Sequence, residues 1–255
     1  MQVNSWTATP GTSSLKLHLD AGNLGLPDNT AIATWNDISG NGNNATGIPG
    51  GTGTALPTYS SSIAGLNNKP SVLFDLTNGR FSAPGAAIPA SLSSFSTYAA
   101  ARKLTATANV IYSFADGTDC NTANLQFYHS GLGNAVMDRC VVGASAVGTT
   151  ETTATNSSYI AGGYFTTGTN IQGVSLNGNT PATNAGVGWN TTTLYIGSRP
   201  TTDLPVGYLS ELLIFHSNNL NASINTLYGG TWKDSDIVEC YLSAKYGIAI
   251  AHSCP

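Results

Sequence analysis

Thirteen acidic residues supply the carboxylate chemistry of this 255-residue chain, and only three of them are glutamates: Glu151, Glu211 and Glu239. Cleaving a glycosidic bond with retention needs two carboxyl groups roughly 5–5.5 Å apart. No glutamate shares an alternating strand pattern with a second acid. Asp234 and Asp236 are two residues apart, but they open a helical segment and read as partners of its positive end. The four histidines are His18, His129, His216 and His252, and no serine sits in a Gly-x-Ser-x-Gly elbow. No catalytic residue emerges, and the expectation is a protein that binds rather than turns over a substrate.

Two kinds of binding chemistry remain. The segment Asp37-Ile38-Ser39-Gly40-Asn41-Gly42-Asn43-Asn44 carries hard oxygen donors in a turn-rich stretch. Asp37, Asn41 and Asn43 are therefore candidate ligands for Ca2+, with Asp20 or Asp75 able to complete a shell. Only one carboxylate lies inside the segment and no EF-hand spacing is present. Turn formation alone accounts for the Asn and Gly, and it is the leading reading. Glycan recognition needs an exposed aromatic face and a few fixed polar groups. Asp116, Asp119, Asn121, Tyr128, Trp189, Asn190, Arg199 and Asp203 offer these and are expected in loops. The competing reading of Trp189 is core packing or hairpin cover, while Trp35 and Trp232 read as core.

The cysteines are Cys120, Cys140, Cys240 and Cys254. Three pairings are available. The economical one joins Cys120 to Cys140 and Cys240 to Cys254; free buried thiols are the alternative. No C-x-x-C or zinc-site spacing occurs.

These groups are positioned by short strands. Leu15-Lys16-Leu17-His18-Leu19-Asp20 alternates apolar and polar residues, the period of a half-buried strand. Similar runs occur at 71–76, 95–102, 110–115, 125–129, 135–137, 141–147, 159–165, 172–176, 193–197 and 208–215. Residues 47–58 read as loop. Asn177-Gly178 is a strong hairpin signal. One helix is expected over Asp234–Tyr246, with Ile237, Val238, Tyr241, Leu242 and Tyr246 on one face and Gly247 at its stop. Strands of this length and spacing predict an all-β sandwich with one short C-terminal helix. Residues 1–14 read as an extended N-terminal arm and residues 15–255 as a single domain.

Only 9 % of residues are charged, against about 25 % in an average chain. Thr, Ser, Asn and Gly must therefore make most of the polar surface. The net charge is −4 and the nine basic residues form no run, so a nucleic-acid partner is not expected. No apolar stretch approaches the ~18–20 residues of a membrane span, and the start lacks the basic and apolar regions of a signal peptide.

Five pieces in order carry a family resemblance. They are Leu17-His18-Leu19-Asp20-Ala21, Trp35 to Ala45, Gly65 to Asp75, Gly207-Tyr208-Leu209-Ser210-Glu211-Leu212-Leu213-Ile214-Phe215, and Tyr241-Leu242-Ser243-Ala244-Lys245-Tyr246-Gly247-Ile248. Together they resemble the concanavalin A-like lectin/glucanase superfamily, in its laminin-G-like branch found in phage virion and bacterial surface proteins. The resemblance spans about residues 15–250 and implies a jelly-roll sandwich of two antiparallel sheets. The Glu-x-Asp-x-x-Glu pattern of the family's glucanases is missing. The expectation is a non-enzymatic lectin-like protein of a virion surface, a decoration, fibre or adhesion subunit binding host-cell glycans. Residues 1–14 would contact other virion or surface proteins, and a homo-oligomer, a trimer foremost, is expected. The alternatives are a carbohydrate-binding module of a secreted or cell-surface bacterial protein and a glucanase-type glycoside hydrolase.

Overall fold

The computed structural model describes residues 14–49, 55–75, 79–89, 93–106, 109–115, 125–129, 133–139, 146–149, 152–185, 193–198, 207–217, 224–225 and 232–254. Strands follow one another as β1 (Leu15–Asp20), β2 (Thr34–Trp35), β3 (Ala45–Ile48), β4 (Thr58–Ile63), β5 (Lys69–Phe74), β6 (Arg80–Ala83), β7 (Phe95–Lys103), β8 (Asn109–Ala115) and β9 (Leu125–His129). Then come β10 (Ala135–Arg139), β11 (Ala146–Gly148), β12 (Ser158–Thr166), β13 (Ile171–Leu176), β14 (Ala182–Ala185), β15 (Thr193–Ile196), β16 (Gly207–Phe215), β17 (Ile224–Asn225) and β18 (Trp232–Lys233). The helix α1 (Asp234–Tyr246) closes the series at the residues read from the sequence.

The first sheet runs β14-β13-β12-β7-β16-β5-β4, with β1 also pairing to β16, and the second runs β11-β10-β9-β8-β15-β6-β3-β2. The pairings within both are antiparallel. Residues 47–58, read as loop, contribute the end of β3 and the start of β4, because pairing with β6 and β5 overrides their Gly- and Thr-rich composition.

The main core lies between the sheets. Leu17 and Leu19 of β1, Phe95 and Ala99 of β7, Phe114 of β8, Tyr159 and Ala161 of β12, and Leu212 and Ile214 of β16 all enter it. The intervening residues do not face water. Tyr98, Ala100, Ile160, Leu213 and Phe215 pack outward against Val238, Leu242 and Tyr246 of α1. The central strands of the first sheet are thus covered on both faces, and the run Leu-Leu-Ile-Phe in β16 is continuously apolar for that reason. No described helix is long and apolar enough to cross a membrane.

Candidate functional site

Covering that outer face brings two clusters of ionisable side chains together among the described residues: His18, Asp20 and Glu211, and Asp236, Glu239 and His252. They have different surroundings.

The first cluster is sealed. Glu211 is 0 % exposed. One carboxylate oxygen accepts from Tyr241 (2.9 Å) and lies 2.6 Å from His18 Nε2. The other accepts from Lys245 Nζ and Tyr246 OH, each at 2.7 Å. Lys245 also reaches Asp20 at 2.7 Å and stands over the rings of Tyr241 and Tyr246. Burial works against the charge of Glu211, but His18 and Lys245 hold its carboxyl below the ordinary value. Burial likewise opposes the charge of Lys245, yet Glu211, Tyr241 and Asp20 raise its pKa. With its hydrogen-bonding capacity filled and no surface to the solvent, Glu211 serves as the pin that fastens α1 to β16 and β1.

The second cluster borders a recess of about 330 Å³ between the outer face of β12 and β13, the loop after β13, the start of α1 and the C-terminal tail. Alternation along β12 and β13 places Tyr164 and Ser175 on this face. Gly173 is the registered partner of Tyr164, and a Cβ there would fall 2.3 Å from the Tyr164 ring. The missing side chain leaves the space that the ring occupies over Gly173. From α1, Glu239 accepts from Ser175 Oγ at 3.0 Å and pairs with His252 Nε2 at 2.9 Å. Asp236 accepts from the backbone N–H of Lys233 at 3.0 Å, closing the first helical turn. Lys233 and Asn179 stand on the same wall.

The tail is held in place by covalent and polar ties. Cys240 and Cys254 form the expected disulfide. Ala251 N donates to Asn177 O at 2.8 Å. Asn177 and Gly178 both hold positive φ, at 51° and 71°, as the hairpin signal required. The hydrogen bond to Glu239 pushes the His252 pKa up to about 9, against the opposing effect of burial. Burial also raises the Tyr164 phenol.

The residues singled out from sequence fare differently. The Asp37 carboxylate accepts from His18 N and Ser39 N on one oxygen and from Asn43 N and Ser39 Oγ on the other, all at 2.8–2.9 Å. Asn41 and Asn43 turn their amides to the carbonyls of Leu15 and Lys16. The loop Asp37–Asn44 thus clasps β1, and four donors occupy the oxygens that a cation would need. Asp20 accepts from Gly22 N at 2.8 Å, the strand-end role read for it, in addition to Lys245. Tyr128 lies within β9 and is half-buried, rather than presented on a loop. Trp35 is fully buried, as expected, whereas Trp232 is only partly so. Asp116, Asp119, Asn121, Trp189, Asn190, Arg199 and Asp203, the Cys120–Cys140 pairing and the arm up to residue 13 lie outside the described residues.

Sequence reading passed over Glu211, Glu239 and His252 as site residues. Two of them carried a signal. Glu211 stands in a strand of apolar neighbours, where a carboxylate needs a partner. Glu239 lies one residue before a cysteine whose mate is two residues after His252.

The class of fold this architecture defines is a β-sandwich of two antiparallel sheets with one C-terminal helix. No protein-family model and no curated protein sequence matches the chain. Solved structures do. Domain 4 of AbnA, a GH43 extracellular arabinanase from Geobacillus stearothermophilus, in complex with arabinotriose, is similar with a TM-score of 0.54 at 15 % identity, over 79 % of this chain and 92 % of that one. The botulinum neurotoxin serotype C1 binding domain is similar with a TM-score of 0.56 at 13 % identity, over 86 % of this chain and 52 % of that one. A botulinum neurotoxin type C structure, whose toxin's cell entry depends on interaction with two ganglioside molecules, gives 0.55 at 13 % identity, over 85 % of this chain and 51 % of that one. At these identities the likeness is one of fold.

Proposed function

We propose that this chain is a non-catalytic, lectin-like glycan-binding protein, and that the recess beside α1 is a sugar site. The observation that carries the reading is the recess itself: a tyrosine ring lining it together with Asp236, Glu239, His252, Ser175 and Asn179, in a volume of about 330 Å³. That combination, one apolar face and a few fixed polar groups, suits a sugar ring and lies within the usual size range of small-ligand sites. The ligands named for the similar structures, arabinotriose and gangliosides, support the choice of chemistry.

The setting we propose is a virion surface, with the chain as a decoration, fibre or adhesion subunit of the laminin-G-like kind. The low charge, the extended reading of residues 1–14 and the order of the five sequence pieces support it. Residues 1–14 would then attach the sandwich to the particle, and a trimer would present several recesses together. Deleting residues 1–14 should abolish particle or oligomer association without unfolding the domain.

A second reading, glycoside hydrolysis, is favoured by one distance. One polar side-chain atom from each of Asp236, Glu239 and His252 falls within 4.8 Å of the others, so two carboxyl groups share the recess, as retaining hydrolysis requires. Against it, Glu239 is engaged on both oxygens and Asp236 closes a helical turn. Reducing-end release from a polysaccharide panel separates the two readings, and binding without release is expected. A glycan array, probed with and without Ca2+, tests the first reading: at least one oligosaccharide should bind the wild type and not Tyr164→Ala. An entirely blank array overturns it.

A further inference from the structure

Four ionisable groups line the recess: Asp236 and Glu239 of α1, Lys233 before it and His252 of the tail. Among the described residues two phenols also face this region, Tyr164 and, beneath α1, Tyr98, both raised by burial and so neutral at physiological pH, while Asp234 opens α1 without lining the recess. Two negative and two positive charges therefore cancel. Their depths differ. Glu239 is only 5 % exposed, whereas Lys233 stands in solvent at the rim. A sugar seated in the recess meets a carboxylate inside and a hydrated ammonium outside. Ionised acceptors form strong hydrogen bonds with hydroxyl groups, while a second anion beside Glu239 would be repelled at close range.

His252 sets this balance. It is the cation paired with Glu239, and it reaches that position because the Cys240–Cys254 disulfide and the Ala251–Asn177 hydrogen bond hold the tail against the sheet. We infer that the recess selects uncharged, hydroxyl-rich sugars over carboxylated or sulfated ones, and that His252 is the positioning residue that holds and neutralises Glu239 for that task. This rests on the recess being the glycan site.

The test uses the full chain and an array of matched oligosaccharides, each in a neutral form and in a sialylated, sulfated or uronic form. Neutral members are expected to bind roughly tenfold or more tightly than their acidic counterparts. Wild-type affinity for the best neutral member should fall as pH rises through about 9, where His252 gives up its proton. His252→Gln should bind about fivefold more weakly at neutral pH and show a flat profile across the same range, with melting monitored to confirm that it is folded. A purely structural role for His252 would leave the two pH profiles parallel, and that result overturns the inference. So does an acidic member that binds as tightly as its neutral mate, although the glycan reading then stands. Hits that ignore Asp236→Asn move the site elsewhere and remove the inference while leaving a glycan-binding protein. A blank array removes both.

Discussion

The imidazole of His252 rests on the backbone of Gly178: a Cβ added to that glycine would meet the ring at 2.8 Å. The turn and the tail are thus fitted to each other across 74 residues, and Gly178 meets two demands, since its φ is +71°. Gly178→Ala should lose about 1–2 kcal/mol from the left-handed backbone alone. It should also push His252 off Glu239. Chemical denaturation measures the first effect. The second appears as a return of the His252 pKa from about 9 toward its ordinary value of 6.5, followed by NMR titration. An unchanged histidine titration would show that the ring accommodates the methyl group.

Glu211 is fully buried and bonds both to α1 and to β1. Breaking a buried ion pair by removing one partner costs about 3–5 kcal/mol, and Glu211→Ala would leave His18 without its carboxylate and Lys245 with Asp20 alone. Unfolding in denaturant should show a loss of that order. The acid side follows with a fixed sign. The folded-state pKa of Glu211 lies below its unfolded value, so its contribution is present above the unfolded pKa and disappears as pH falls through the folded one. Acid melts of the wild type should therefore steepen below the carboxylate range, and Glu211→Gln should flatten that segment.

His252 gives the opposite dependence. Its folded-state pKa is raised from 6.5 to about 9, so the stabilisation is complete below about 6.5 and is lost as pH rises through about 9. Melting temperature measured from pH 6 to 10 should decline across that window in the wild type and decline less in His252→Gln.

The Cys240–Cys254 bridge spans 14 residues, a loop length for which closure contributes about 3 kcal/mol or less. Replacing both cysteines by serine should lower stability within that bound and loosen the tail. Proteolysis after residue 247 should become faster while the sheets stay protected. Equal cleavage rates in the two proteins would mean that the hydrogen bonds alone retain the tail.

The sheets were legible because their signal is local. Alternating Leu residues at 15, 17 and 19, the Asn177-Gly178 pair and the apolar face of α1 each state their structure within a few residues. The recess was not, because its parts meet over long separations. Ser175 meets Glu239 across 64 residues, and in the sealed cluster, hidden for the same reason, His18 meets Glu211 across 193. Read alone, Glu211 and Glu239 lacked a second acid in pattern and invited no role. Asp37 shows the converse: its Asn- and Gly-rich surroundings suggested both a cation loop and a turn, and only the hydrogen bonds to His18, Ser39 and Asn43 show the carboxylate spent on the turn.

Titration of oligosaccharides into the wild type, Tyr164→Ala and Asp236→Asn tests the account most directly. Tyr164 contributes an aromatic ring and Asp236 a carboxylate, and both stand half-buried on the recess, away from the main core. Saturable binding by the wild type, weakened roughly tenfold or more in each variant with melting nearly unchanged, is the expected result. Binding of equal strength in all three proteins, or in none, would contradict a glycan site beside α1.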